Sequence, residues 1–244
     1  MALASVRLMS GDPRGAAELC RRAIERAPDN NDTRELYARL LLECASPERA
    51  VEVLEPLVRE DPNQGSSWLE LIRAYALMGD YSRVREAIEQ ARPLGRGVGP
   101  GEIVLRGRLA IWAPAELASL LDLEIPDAAM SSPWQVLRVA RRVVHGEDVE
   151  GDLKIFEGFA EQQQTAPRFM TVVFQTLAEI EGFRRRVEPA LDHLERTVAG
   201  GLFDIVWVDR CAALAPLRAH PRFLATRAVV AERASAIREA LGVV

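Results

Sequence analysis

Two prolines, Pro28 and Pro62, stand 34 residues apart, and each follows the same apolar pattern: Ala16, Cys20 and Ala23 before the first, Ala50, Leu54 and Leu57 before the second. The next interval carries Trp68, Leu71, Ile72 and Tyr75, then Gly79-Asp80, then Val84, Ile88 and Ala91. Within each interval the apolar residues recur every three or four positions on either side of a turn, the period of two consecutive amphipathic helices. A helix pair of this size cannot bury its apolar face alone, so it must stack on a neighbouring pair. The repeat therefore predicts an all-α fold before composition is considered.

The Trp68-x2-Leu71-Ile72-x2-Tyr75 stretch with Gly79, Val84, Ile88 and Ala91 resembles the tetratricopeptide repeat. The resemblance implies a right-handed helical-repeat solenoid of antiparallel helix pairs, whose first helices line a concave groove that takes an extended peptide or a helix. Aligning Pro28 with the repeat's proline puts Leu3, Ala4 and Arg7 at first-helix signature positions and the leading aromatic position before Met1. A chain cut from a longer polypeptide accounts for that missing turn. The second unit, about 31–64, carries Tyr37, Ala38 and Leu41, and Ser46-Pro47-Glu48 reads as an N-cap followed by proline in the first helical turn. The third, about 65–98, follows the pattern with the fewest departures.

After Ala91 the pattern loosens. The glycine-rich run from Arg92 to Gly101 lacks the Gly-Lys-Ser/Thr ending of a phosphate loop and reads as an inter-repeat turn. Helices are expected over Glu102–Trp112 and Ala113–Leu123, with Pro126-Asp127 and Ser131-Ser132-Pro133 ending one pair and opening the next. Trp134 to Arg141 begins a helix whose expected partner is Val149–Gln164, and Pro167–Gly182 pairs with Val187–Val198. The organisation expected is regular repeats over 1–98, degenerate repeats of the same solenoid over 99–198, and a closing segment with a capping helix over 199–244. Leu202–Val208 reads as a short extended piece or one helical turn, and Pro221–Leu241 as the last helix.

Gly200-Gly201-Leu202-Phe203, Trp207, Leu214-x-Pro216-Leu217-Arg218 and Pro221-Arg222-Phe223 resemble the closing segment of tetratricopeptide regions in bacterial multidomain signalling proteins. In that group the repeats follow a serine/threonine kinase, a nucleotide cyclase or a transcriptional activator. The resemblance implies a regulatory or interaction role in a bacterial signalling protein. It carries no kinase activity, because the glycine-rich loop, catalytic-loop and Asp-Phe-Gly residues of a kinase are absent from this sequence.

Charge and composition narrow the function. The net charge is -5, and acids and arginines interleave along the chain, so no basic stripe is present to neutralise a phosphate backbone. Nucleic acid is not an expected partner. The three cysteines lack CxxC spacing, no run is long and apolar enough for a membrane span, and no signal peptide precedes the repeats, so a cytoplasmic location is expected. His145, His193 and His220 lie far apart and read as solvated or capping residues, and the acids Glu147, Asp148, Glu150 and Asp152 read as helix N-terminal charges. No Gly-x-Ser-x-Gly elbow occurs. Neither an enzyme, a cofactor nor a metal is expected.

The repeat register places Leu8 and Met9 of the first unit, Glu35, Arg39, Leu42 and Glu43 of the second, and Leu69, Arg73, Ala76 and Leu77 of the third on the concave groove. Arg39 and Arg73 share one repeat position and should stack above an apolar floor, an arrangement suited to a partner segment bearing a carboxylate beside apolar side chains. That partner would be another protein or the chain's own upstream domain. An alternative function is an enzyme or small-molecule sensor, with a pocket between the irregular middle, Arg92–Ser132, and the C-terminal helices. A scaffold should expose Arg39 and Arg73 on an open groove; an enzyme should enclose converging polar groups.

Overall fold

A computed structural model describes residues 2–91, 99–125, 132–162 and 167–243. Among the described residues the regular structure is entirely helical, and the helices follow one another as packed pairs. The first six are α1 (Ala2–Met9), α2 (Pro13–Arg26), α3 (Asn31–Cys44), α4 (Pro47–Glu60), α5 (Gly65–Met78) and α6 (Tyr81–Ala91). Local chemistry sets their starts. Asp12, Asn30 and Ser46 accept hydrogen bonds from the amides of Gly15, Thr33 and Arg49 at 2.8, 2.9 and 3.1 Å. Each therefore satisfies an amide that the first helical turn leaves without a partner. Pro13 and Pro47 open α2 and α4, where a missing amide costs nothing. Gly79, with φ of 76°, ends α5 in the left-handed conformation that glycine adopts without a Cβ clash.

Burial follows the repeat register. Ala16, Cys20, Ala38, Ala50, Leu54, Leu57, Ala74 and Val84 are fully buried. Trp68 is 6 % exposed, and its indole Nε1 donates to the Pro62 carbonyl at 2.9 Å, which ties the signature tryptophan to the turn proline before it. All three cysteines are free and buried.

The second half comprises α7 (Pro100–Trp112), α8 (Pro114–Leu117), a 3-10 turn (Ala118–Leu121), α9 (Ser132–Val144), α10 (Glu150–Gln162), α11 (Pro167–Phe183), α12 (Val187–Ala199), α13 (Ile205–Arg210), a 3-10 segment (Ala212–Leu217) and α14 (Pro221–Leu241). Its pairing differs from expectation in one place. The helix from Trp134 lies chiefly against α7 instead of α10, and α10 packs on α11. The reason is length: α8 has four residues and leaves much of α7 uncovered. Gly107 lets α9 approach closely, since a Cβ there would stand 3.3 Å from Val136 and 3.4 Å from Ala140. Parts of the expected loops, 92–98 and 126–131, lie outside the described residues, as does most of the glycine-rich run.

The chain does not run out as an open row of pairs. Helix α14 returns to the N-terminal end, packing on α2 and α3 as well as on α12 and α13. Arg238 donates to the Cys44 carbonyl at 2.7 Å, and Arg21 donates to the Ala240 carbonyl at 3.3 Å. Leu202 to Leu217 runs through the middle, where α13 meets α3 and α5, and the 3-10 segment meets α7, α11 and α12. One hydrophobic cluster consequently extends from Ala4 to Val243.

Candidate functional site

The inner surfaces of α3 and α5 present acids and arginines one turn apart. Arg39 Nε donates to Glu70 Oε1 at 2.6 Å. Arg73 Nη1 reaches Glu43 Oε1 at 3.3 Å and Glu70 Oε2 at 3.5 Å, while its Nη2 is bonded to Asp204. Arg168 of α11 also bonds Glu43 and lies over the Phe203 ring, 5.0 Å from its centroid. Three guanidiniums thus face the carboxylates of Glu43, Glu70 and Asp204 in a region where those carboxylates are 1 %, 7 % and 1 % exposed. Burial of unpaired charge would be prohibitive, and the pairing makes the arrangement tolerable.

Burial pushes the Glu70 carboxyl up, but Arg39 and Arg73 outweigh it and hold the group below the usual carboxylate range. Burial also raises Asp204, to about 6; Arg73 opposes the shift and the charge of Glu43 adds to it. The difference between the two carboxyls follows from sharing. Glu70 takes two arginines directly, whereas Asp204 shares Arg73 with two other acids. Asp204 also caps α13, its Oδ1 accepting from the Trp207 amide at 2.9 Å. Trp207 is fully buried, and its Nε1 donates to Glu179 Oε1 at 2.6 Å. Arg108 clamps the same Glu179 through Nε at 2.9 Å and Nη2 at 2.5 Å.

The expected open groove is therefore corrected. Leu8, Leu42, Glu43, Ala76 and Leu77 are buried, and the Arg73 side chain is only 12 % exposed. Leu69 is half-buried toward α7, where a Cβ on Gly101 would stand 3.0 Å from it. Glu35 is also committed, accepting from Gln64 and Ser66 at 2.7 Å each. Arg39 keeps about a third of its side chain in solvent, and Met9 is 49 % exposed. The structure brings Arg39, Arg73, Glu43, Leu42 and Leu77 together on one inner face, but Phe203, Asp204 and Trp207 of the same chain lie against it.

Asp204, Glu179, Arg108 and Arg168 went unread in the sequence, and Trp207 was read only as part of the closing-segment resemblance. A signal existed: Asp204 interrupts the apolar run Leu202–Val208, and Arg106 and Arg108 interrupt Ile103–Trp112. A lone charge inside an apolar helix implies a buried counter-charge elsewhere. The histidines behave differently from one another. His220 caps α14, accepting from the Arg222 amide at 3.2 Å, while His193 is buried and burial pushes its imidazole down to about 4. Of the acids near α10, Glu147 and Asp152 pair with Arg142, Glu150 pairs with Arg184 at 3.0 Å, and Asp148 accepts from the Glu150 amide at 3.1 Å.

A partly open space of about 40 Å³ lies among α7, α9, α10 and α11. Phe156, Phe159, Phe169 and Val172 line it, and Thr176 is the only lining residue with a side-chain hydroxyl. Among the described residues its lining is otherwise apolar. Among the described residues no cluster of metal-ligating side chains occurs, and no helix is long and apolar enough to cross a membrane.

Comparison with known proteins adds one finding. The tetratricopeptide repeat family matches residues 7–71, which span α2 to α4 and the first turns of α5. Repeats of this kind are in general scaffolds for binding protein or peptide partners. No curated protein and no solved structure matches the chain.

Proposed function

We propose that this chain is a non-catalytic protein-interaction scaffold whose inner face recognises a segment combining a carboxylate with a large aromatic side chain. The observation that carries the reading is the seating of Asp204 against Arg73, with Phe203 under Arg168 and Trp207 buried beside them. The chain supplies its own guest to the surface the repeat register assigns to a partner. Leu8, Met9, Glu35, Arg39, Leu42, Glu43, Leu69, Arg73, Ala76 and Leu77 form the receiving face in this reading, with Arg39 its remaining accessible cation. A partner segment, from another protein or from an upstream domain, competes with Phe203–Trp207 for it.

The wider setting in this proposal is a regulatory region of a bacterial signalling protein in the cytoplasm. The closing-segment motifs from Gly200 to Phe223 support it, because they supply the resident guest and the returning helix α14. The regular pairs up to residue 98, the degenerate pairs to 198 and the closing segment beyond then act as receiver, spacer and latch.

Competition in the full chain tests this reading. Asp204→Asn keeps an N-cap for α13 but weakens the ion pair with Arg73. A fluorescent peptide with the sequence of residues 201–212 should bind this variant at least about tenfold more tightly than it binds the unaltered chain, a difference of ~1.4 kcal/mol. Arg39→Glu should reduce that binding. Equal anisotropy titrations for the variant and the unaltered chain would sink the proposal.

A further inference from the structure

Helix α1 is apolar on two sides. Ala4 and Leu8 are buried against the core, while Leu3 and Val6 are 58 % and 60 % exposed. These two stand three positions apart and form a short stripe on one side of the helix. A helix of a folded domain normally turns its second face, polar, to water. Beside the stripe, Leu3 joins Leu19, Ala23 and Ala27 of the α2 region in an open groove of about 430 Å³. The small side chains of Ala4, Ala23 and Ala27 form its floor, so bulky side chains from outside can enter.

Charge indicates what enters. Arg22 and Arg26 rim this groove. The ion pair of Arg22 with Glu18 spans 3.9 Å, and among the described residues Arg26 pairs with no acid. Thus two cations with little local compensation edge an apolar slot on a chain whose net charge is -5. A second copy of the chain is a poor occupant, because a two-fold contact through this patch would set the arginines of both copies around one axis. We infer that the α1–α2 groove docks an amphipathic helix of a partner protein, with leucine-like side chains in the slot and acidic residues on its flanks meeting Arg22 and Arg26. This inference rests on the scaffold reading above but uses a different face, away from the paired charges of the interior.

The test uses the full chain and a designed probe: a fluorescein-labelled helical peptide of about eighteen residues, five turns, with leucines on one stripe and glutamates on both flanks. A second peptide carries lysine at every glutamate position. The glutamate peptide should bind at least about tenfold more tightly, and the advantage should shrink as salt screens it. Arg22→Glu with Arg26→Glu should reverse the preference, and Leu3→Ser with Val6→Ser should abolish binding of either peptide. All four positions are exposed on helices, and circular dichroism of each variant should match the unaltered chain. Equal binding of the two peptides, or binding of neither, overturns the inference. So does a dimer, detected by sedimentation, that the Leu3→Ser, Val6→Ser variant dissolves, because it would identify a second copy as the occupant. Asp204→Asn should leave the probe's affinity unchanged; failure here alongside tight binding of the 201–212 peptide there would remove this groove and leave the scaffold reading standing.

Discussion

The two halves of the molecule solve the same packing problem differently. From α2 to α6 each helix lies against its immediate neighbours, the helices have 11 to 14 residues, and the inner surface collects Arg39, Glu43, Glu70 and Arg73 in repeat register. From α7 onward, helix lengths run from 4 to 21 residues, α9 pairs backward onto α7, and α13 and α14 leave the row to fill the interior and meet α2. The first half can be described by interfaces between neighbours, as in a solenoid. The second half closes the molecule, so damage there has to reach both ends. Asp204 meets Arg73 across 131 residues of sequence, and Arg238 meets the Cys44 carbonyl across 194.

The sharpest way to break this contrast is a pair of tryptophan variants. Trp207→Ala should cost about 3 to 5 kcal/mol from lost packing, and the Glu179–Arg108 pair loses a donor as well. Trp68→Ala should cost a similar amount, roughly 3 to 5 kcal/mol. The distinction lies in hydrogen exchange. Trp68→Ala should speed exchange in α4 to α6 before it reaches α11, whereas Trp207→Ala should speed it in α3, α5, α11 and α14 together. Uniform changes in both variants would mean that the first half has no local unfolding unit of its own.

A comparable effect is expected at the arginines. From sequence, reversal of Arg73 reads as a surface change; its burial against Asp204, Glu43 and Glu70 makes it a core change. Arg73→Glu should cost about 3 to 5 kcal/mol, because it strands buried carboxylates beside a new one. Arg39→Glu should cost less, about 1 to 3 kcal/mol, since Glu70 keeps Arg73. Denaturant midpoints at constant slope would measure both, and equal losses would contradict the burial difference.

Glycines sharpen the comparison within the second half. A Cβ on Gly182 in α11 would stand 2.3 Å from the Ala213 carbonyl oxygen, backbone that cannot turn aside. Gly182→Ala should therefore destabilise by about 1 to 3 kcal/mol although alanine is the better helix former. Gly158→Ala in α10, where nothing stands within 4 Å, should stabilise by roughly 0.5 to 1 kcal/mol. Thermal midpoints moving in the same direction would show that the 3-10 segment is not held against α11.

The smallest expected effect is on pH dependence. Burial, assisted by Arg196, lowers His193 from an ordinary 6.5 to about 4. Between those values the unfolded chain takes up a proton that the folded chain does not, so this group's contribution is present above pH 6.5 and is lost as the pH falls toward 4. Asp204 acts oppositely: with its carboxyl raised from 3.8 to about 6, its contribution is fully present below 3.8 and is lost as the pH rises through 6. Chemical denaturation of the unaltered chain and of His193→Gln, at pH 7 and pH 5, isolates the histidine. The loss on acidification should be smaller in the variant; an equal loss would place the imidazole in solvent.

Local pattern accounted for the helices. The expected helices Pro167–Gly182, Val187–Val198 and Pro221–Leu241 match α11, α12 and α14 to within one residue at each end, because caps, prolines and apolar periodicity act over a few residues. Cys20 and Trp68 likewise took the buried positions that the repeat assigned them. At the candidate site the register placed Arg39 and Arg73 on one face, and it could not indicate that Phe203, Asp204 and Trp207 lie against that face. His193 shows the same limit: its position on α12 was legible, its burial beneath Phe174 was not.

Sequence alone determined, through a 34-residue period and the spacing of apolar side chains, that the chain forms stacked helix pairs with acids and arginines along their inner surface. Only the tertiary structure decided that α9 reaches back to α7, that α14 returns to α2, and that Asp204 and Trp207 occupy the inner face. The physical reason is range. Helical periodicity and capping are set by neighbours three or four residues away, whereas these contacts join segments far apart in the chain, selected by which apolar faces and buried charges remain without partners once the pairs have stacked.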